Sequence, residues 1–525
     1  VRHSVWILCA VLFCGVSVHA DVKLPAVISS HMVLQQGVPV PIWGTAAPGE
    51  KVTVTFRDQT KTTDADAQGK WSVKLDALTL GEPASMTIAG KNTIKLDDVL
   101  VGDVWVGSGQ SNMQMNVSSY TKGDPELEKI AAATYPKLRL KSPNAQGWLE
   151  ATPENNVKFS ALLFSFGVPL QKDLNVPLGL MVGAVGGTPS GYWLSEEAYK
   201  ADEPCKAMVA KAMETYKPEE AQKKYQADLA AWEKASAEAK AKADDLLKAD
   251  PKAKVPGAPR KPAPPLKPGD CQGKVGHLYE ANIRPYMPFA MKGVVWDQGE
   301  SGTAINNIDQ YTMMGALIRG WRKEWGQGDF PFIYIQKPSG GGCAWDPADP
   351  ITNKSEKFTP LPDDKQATSN NAYIENHIKI MTYPNTAMSI STDLGSGIHP
   401  TNKSGYGARA SRVALGVAYG KKVEYYGPLY QSNKIEDAKI RVTFSHVGQG
   451  LAAKHAEKIQ GFAVAGEDKV FHWADAVIDG DSVVVTSAKV AKPVAVRYAW
   501  SPRTPWANLF NKDGLPAIPF RTDSW

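Results

Sequence analysis

A serine just past an apolar run, a histidine between glycines and a proline, and two further turns rich in amide groups are the residues here that could do chemistry together. Ser111 sits in Gly107-Ser108-Gly109-Gln110-Ser111-Asn112, directly after Val99–Val106. A tight turn there lifts a hydroxyl above a sheet edge. Position 113 is Met, so the segment is not the G-x-S-x-G elbow. It also lacks the third glycine of a dinucleotide fingerprint. A lone serine in such a turn caps a helix more often than it attacks a carbonyl. As a nucleophile it needs a base, because its hydroxyl is weak at neutral pH. Among nine histidines, His399 stands out, in Gly395-Ser396-Gly397-Ile398-His399-Pro400. His31, His446, His455 and His472 fall in the β-rich ends and read as structural or exposed; His277 and His377 stay open. Acyl transfer also needs donors for a tetrahedral oxyanion. Gly186-Gly187-Thr188 offers backbone N–H groups and Gln298 a side-chain amide. Taken singly, these are a plain turn and a loop-fixing amide; their common position at strand ends makes them a set.

The elements that must position them read as an α/β unit. Val99–Val106, Leu178–Val185, Met291–Trp296, Phe332–Gln336 and Ala387–Ser391 are short apolar runs of the buried-strand type. Helix-like stretches near Ser160–Leu174, Tyr311–Trp325, Tyr373–Tyr383 and Ser404–Tyr419 separate or follow them. Strands alternating with helices of 10–16 residues predict a doubly wound parallel sheet with helices on both faces. Ligands bind such sheets beyond the carboxyl ends of the strands, and each motif above lies at one.

Before this core, residues 21–98 alternate at period two between turn signals, as in Lys51-Val52-Thr53-Val54-Thr55-Phe56, and read as a β-sandwich. Residues 99–420 form the α/β unit, interrupted by a 206–270 insert. That insert comprises a charged Ala/Lys/Glu-rich helix pair and the extended, proline-rich Pro256–Pro268, and reads as a solvated arm. Residues 421–525 return to short strands and read as a second β module. Residues 1–20 carry Arg2, an apolar run and Val18-His19-Ala20, the pattern of a secretory signal peptide whose run is too short to span a bilayer. The expectation is a secreted or periplasmic protein with no membrane segment after cleavage.

Cleavage would remove Cys9 and Cys14. Cys205 and Cys271 flank the insert and are expected to pair, leaving Cys343 free. Over 525 residues the charge balance is 59 Lys and Arg against 54 Asp and Glu, which gives no footprint for nucleic acid. The Lys-rich arm carries acids throughout its helical part. No H-E-x-x-H or paired C-x-x-C motif suggests a metal, and no cofactor is expected.

Leu24-Pro25, His31-Met32-Val33-Leu34-Gln35, Val104-Trp105, Gly109-Gln110-Ser111-Asn112-Met113, Gly186-Gly187-Thr188, Trp296-x-Gln298-Gly299-Glu300-Ser301 and Ile398-His399-Pro400 together resemble the sialate O-acetylesterase family of the SGNH-hydrolase superfamily. The resemblance runs from about Asp21 to Trp525 and is broken mainly by the insert. It implies an SGNH-type α/β fold and the hydrolysis of acetyl esters on sugar hydroxyls through a covalent acetyl-enzyme. Ser111 would be the nucleophile. Its N–H, a glycine of Gly186-Gly187 and the Gln298 amide would form the oxyanion hole, and His399 would be base and then acid. The superfamily commonly places an Asp three residues before the His, where this chain has Ser396. Asp393, then a backbone carbonyl, then Glu300 are the candidates to orient the ring. Trp193 and Trp345 are candidates for stacking on sugars. Alternatives are an acetyl xylan or polysaccharide esterase, and an inactive glycan-binding scaffold.

Overall fold

The computed structural model describes residues 21–525 apart from 338–344, 350, 354, 369–371 and 396. The expected signal peptide, Cys343 and Ser396 therefore lie outside the described residues.

A single long strand organises the chain. Strand β1 (Thr93–Gly109) begins in the N-terminal sheet, where it pairs antiparallel with Ala84–Ala89, and continues into the central sheet. Its N-terminal half alternates exposed and buried positions, while Val99–Gly109 is buried throughout. One strand thus changes from a sheet with one wet face to a sheet covered on both faces. The remaining central strands are β2 (Tyr135–Lys141), β3 (Leu178–Ala184), β4 (Gly293–Asp297), β5 (Phe332–Ile335) and β6 (Thr386–Ser389). Their order is β6-β5-β4-β1-β3-β2, all parallel, with Leu149–Ala151 antiparallel at the β2 edge. The α/β architecture expected from the sequence is present.

Helices cover both faces. Trp105 on β1 meets Phe166 edge-on, 5.1 Å between ring centroids, on helix α2 (Ala161–Leu174). Trp296 on β4 points to the opposite face and packs against Trp321 of α5 (Gln310–Trp325) at 6.0 Å. Each helix starts where its cap dictates. Ser160 accepts from Leu163 N–H, Asp309 from Thr312 N–H, and Asn402 from Gly405 N–H at the head of α6 (Lys403–Val417), each relieving one unpaired donor of a first turn.

The arm consists of α3 (Glu203–Thr215) and the 32-residue α4 (Pro218–Ala249), which buries no residue. The proline-rich return is fastened to it where Trp232 Nε1 donates to the Pro259 carbonyl at 2.9 Å. The expected Cys205–Cys271 disulfide is absent; both are free thiols. Burial pushes Cys205 up to about 12 and Cys271 to about 11, so both stay protonated near neutrality. Beyond α6, two four-stranded antiparallel sheets enclose their own core, with Val442, Phe462, Val483 and Tyr498 at its centre. Among the described residues no helix is long and apolar enough to cross a membrane.

Candidate functional site

The carboxyl ends of β1, β3 and β4 finish level with one another. Gly109 lies opposite Ala184 on one side and Asp297 on the other. The three loops that leave these strands therefore start from one line. Gly109 has a φ of +126°, and a Cβ there would stand 2.1 Å from the Asp297 carbonyl oxygen. Only glycine permits that approach. Gln110 N–H donates to the Asp297 carbonyl at 2.9 Å and Val185 N–H to the Gly109 carbonyl at 3.2 Å, which stitches the turn to both neighbours.

Ser111 opens the short helix α1 (Ser111–Gln114). Its hydroxyl lies 2.9 Å from His399 Nε2, across 288 positions of chain. This is hydrogen-bond reach between a nucleophile and a base. His399 sits on an exposed loop, capped by the buried Pro400 that precedes α6.

The Gly-Gly turn lies against the serine. A Cβ on Gly186 would be 3.3 Å from Ser111 Cβ. The Gly186 N–H is already used, donating to Gln114 Oε1 at 2.7 Å. Gly187, with a φ of +70° and open space beside its Cα, has no acceptor for its N–H among the described residues, and neither has Ser111. Thr188 holds the turn: its hydroxyl donates to the Val185 carbonyl at 2.7 Å and accepts from Trp193 Nε1 at 3.0 Å. Trp193 is thus a fully buried core residue, not a platform for sugars.

Gln298 is almost wholly buried. Its Nε2 donates to the Gly302 carbonyl at 2.9 Å and its Oε1 accepts from Gln310 Nε2 at 3.1 Å. Both ends of the amide are anchored, leaving one amide hydrogen for another acceptor.

The expected orienting carboxylates are engaged elsewhere. Asp393 gives both oxygens to Arg409, at 3.2 and 2.9 Å, in a buried bidentate pair. Glu300 accepts from Gln110 Nε2 at 2.8 Å and pairs with Lys337 at 2.7 Å. Among the described residues no carboxylate lies within ion-pair distance of His399.

Sequence reasoning missed two buried lysines that hold the neighbours of the serine. Lys337 is fully buried and also pairs with Asp297 at 2.8 Å. Burial alone would lower its pKa, but Asp297 and Glu300 outweigh that and hold it above the ordinary lysine value. Asn112 donates to the Ile398 carbonyl at 2.9 Å and accepts from Lys403 Nζ at 2.6 Å. Gln110 and Asn112 stood inside a recognised motif; nothing in their spacing pointed to the two lysines.

No family model matches the chain. It is 27% identical to the sialate O-acetylesterase of Homo sapiens, over 98% of this chain and 95% of that protein. It is 28% identical to the sialate O-acetylesterase of Mus musculus, over 95% and 94% respectively. Among solved structures, a carbohydrate acetylesterase from Xanthomonas citri superposes with a TM-score of 0.71 at 29% identity, covering 96% of this chain and 100% of that one. The resemblance read from the motifs therefore extends along nearly the whole chain and to the fold.

Proposed function

We propose, from a likeness to sialate O-acetylesterases that runs almost end to end, that this chain hydrolyses O-acetyl esters of sugars. The observation that carries the reading is the 2.9 Å contact between Ser111 Oγ and His399 Nε2, at the rim where the Gly186-Gly187 turn meets the serine.

His399 Nε2 takes the Ser111 proton as Oγ attacks the acetyl carbonyl, and the tetrahedral oxygen settles on the N–H groups of Ser111 and Gly187. The remaining Gln298 amide hydrogen is the third donor. The imidazolium then passes its proton to the sugar oxygen, and the alcohol leaves an acetyl-serine. Water, deprotonated by the same imidazole, attacks that ester; the imidazolium then returns the proton to Ser111 Oγ as the C–Oγ bond breaks and acetate leaves. Donors set for the developing oxyanion supply the largest part of such catalysis, each worth roughly 100- to 1000-fold in rate. The signal pattern of residues 1–20 supports action outside the cytoplasm.

Acetate release from 9-O-acetylated sialic acid, acetylated xylan and 4-nitrophenyl acetate tests this reading. Ser111→Ala is expected to abolish turnover of every ester that the wild type cleaves, with the fold intact by circular dichroism. Undiminished turnover in that variant sinks the assignment. The ratio of the first two rates separates the sialate reading from the polysaccharide one, and a fluorophosphonate that fails to label Ser111 would favour a binding scaffold.

A further inference from the structure

Lys403 is the first residue of α6, four positions after His399, and its side chain is turned inward with 1% of its surface exposed. Among the described residues no carboxylate lies within 4 Å of its ammonium. The groups around it are the rings of Tyr120 at 4.7 Å and Tyr406 at 5.7 Å and the Asn112 amide oxygen at 2.6 Å. Burying a cation without a paired anion is expensive. Burial draws this one down to about 7, with Asp297 and then Glu300 and Asp124 acting upward and Lys337 downward. A fold that needed only to fill this space would place an apolar side chain here.

The geometry points to a specific use. Asn112 can be read either way round, since its oxygen and nitrogen differ little in shape, and its partners decide. On one side stands an ammonium, which only donates. On the other are two groups that only accept, the Ile398 carbonyl at 2.9 Å and, more distantly, the Glu300 carboxylate at 3.5 Å. With Lys403 in place the amide has one satisfied orientation. It then joins the residue after the nucleophile to the residue before the base. Ile398 itself is 68% exposed, so apolar packing does little to hold this loop.

We propose that Lys403 is a positioning residue, which locks the Asn112 amide so that its N–H clamps the Ile398 carbonyl and seats the His399 loop on Ser111. The proposal rests on the Ser111–His399 reading for its catalytic consequence, but not for the clamp itself. Misplacement of a catalytic group by an ångström costs on the order of 100-fold, and the loss is expected to fall on turnover because Asn112 and Lys403 are each only 1% exposed.

The test is a double-mutant cycle in the full chain. Lys403→Met keeps the unbranched stem, one atom shorter, and removes the donor; it is expected to lower kcat about 10- to 100-fold with KM nearly unchanged. Asn112→Ala should do the same, and the double variant should be no worse than Asn112→Ala alone, because both act through one contact. Hydrogen exchange across 397–399 should quicken in each. Should Lys403→Met fail to fold, Asn112→Asp serves instead: it still accepts from Lys403 but offers Ile398 no donor, and faster exchange with reduced kcat is expected. Additive losses, a loss carried by KM, or unaltered exchange would overturn the proposal. Full activity in Ser111→Ala would instead overturn Ser111 as the nucleophile, while the exchange result would still decide the clamp.

Discussion

Asp393 and Arg409 form a buried, two-point ion pair, carboxylate to guanidinium, with 2% and 4% of their side chains exposed. The Arg409 guanidinium also donates to the Ile390 carbonyl at 3.3 Å, so the pair ties α6 to the segment that follows β6. Both carboxylate oxygens are thereby spent on Arg409 and not on the imidazole. Asp393→Asn leaves a buried guanidinium without its counter-charge, a loss of about 3–5 kcal/mol. Chemical denaturation is expected to show that loss. The kcat of the folded fraction should stay near wild type, far from the roughly 10⁴-fold drop that follows removal of a carboxylate orienting a catalytic histidine.

His377 gives a prediction in pH. Its ring lies between Tyr334 and Tyr373, at centroid distances of 6.1 and 5.1 Å, and neither ring nitrogen has a hydrogen-bond partner among the described residues. Burial, helped by the Lys337 charge, draws it down to about 3. The unfolded chain therefore binds a proton that the folded one refuses between about pH 3 and about 6.5. Stability contributed here is complete above the unfolded value and is lost as pH falls, by up to about 1.4 kcal/mol per unit. Urea unfolding of wild type and His377→Leu between pH 4 and 7 is expected to show a flatter dependence in the variant.

The free thiols predict an outcome at the base of the arm. Iodoacetamide added to denatured, unreduced protein should alkylate both Cys205 and Cys271, and reductant should leave the unfolding midpoint unchanged. Peptide mapping reads the first result directly. A cross-linked 205–271 peptide would contradict it. In the native protein Cys205, with 1% of its surface exposed, should react far more slowly than the partly exposed Cys271.

What could be read from the sequence follows from which physical signals are local. Continuous apolar runs marked β1, β3, β4, β5 and β6 because strands covered on both faces have no polar positions. Glycine-rich turns marked their carboxyl ends, so Ser111, Gly186 and His399 were found by position as much as by type. Partner choice is not local. Asp393 was the nearest carboxylate along the chain to an imidazole six residues on, yet Arg409, one helix further, takes both its oxygens. Lysine is ordinarily a surface residue, so its type alone gave no reason to bury Lys337 and Lys403 against Glu300 and Asn112. Cys205 and Cys271 flank the arm in sequence, and flanking says nothing about the distance between two thiols. Trp193 shows the same limit in reverse: an aromatic near the site belongs to the core because Thr188 takes its N–H.

Gly186 offers the sharpest check on the oxyanion rim. Its N–H is held by Gln114 and its Cα faces the serine, so a methyl group there would stand 3.0 Å from Gln114 Oε1 and 3.3 Å from Ser111 Cβ. The first contact is with the end of an exposed side chain that can give way. The second is with a residue pinned by Gln110 and Asn112 on either side, whose partners are Glu300, Ile398 and Lys403. The added volume therefore shifts the Gly-Gly turn, and with it the Gly187 N–H, away from the serine. Gly186→Ala is expected to lower kcat on an acetyl ester by about 100-fold, the scale of one lost oxyanion donor, with little change in KM or in unfolding midpoint. A variant with full kcat would show that the Gly187 N–H takes no part in holding the oxyanion.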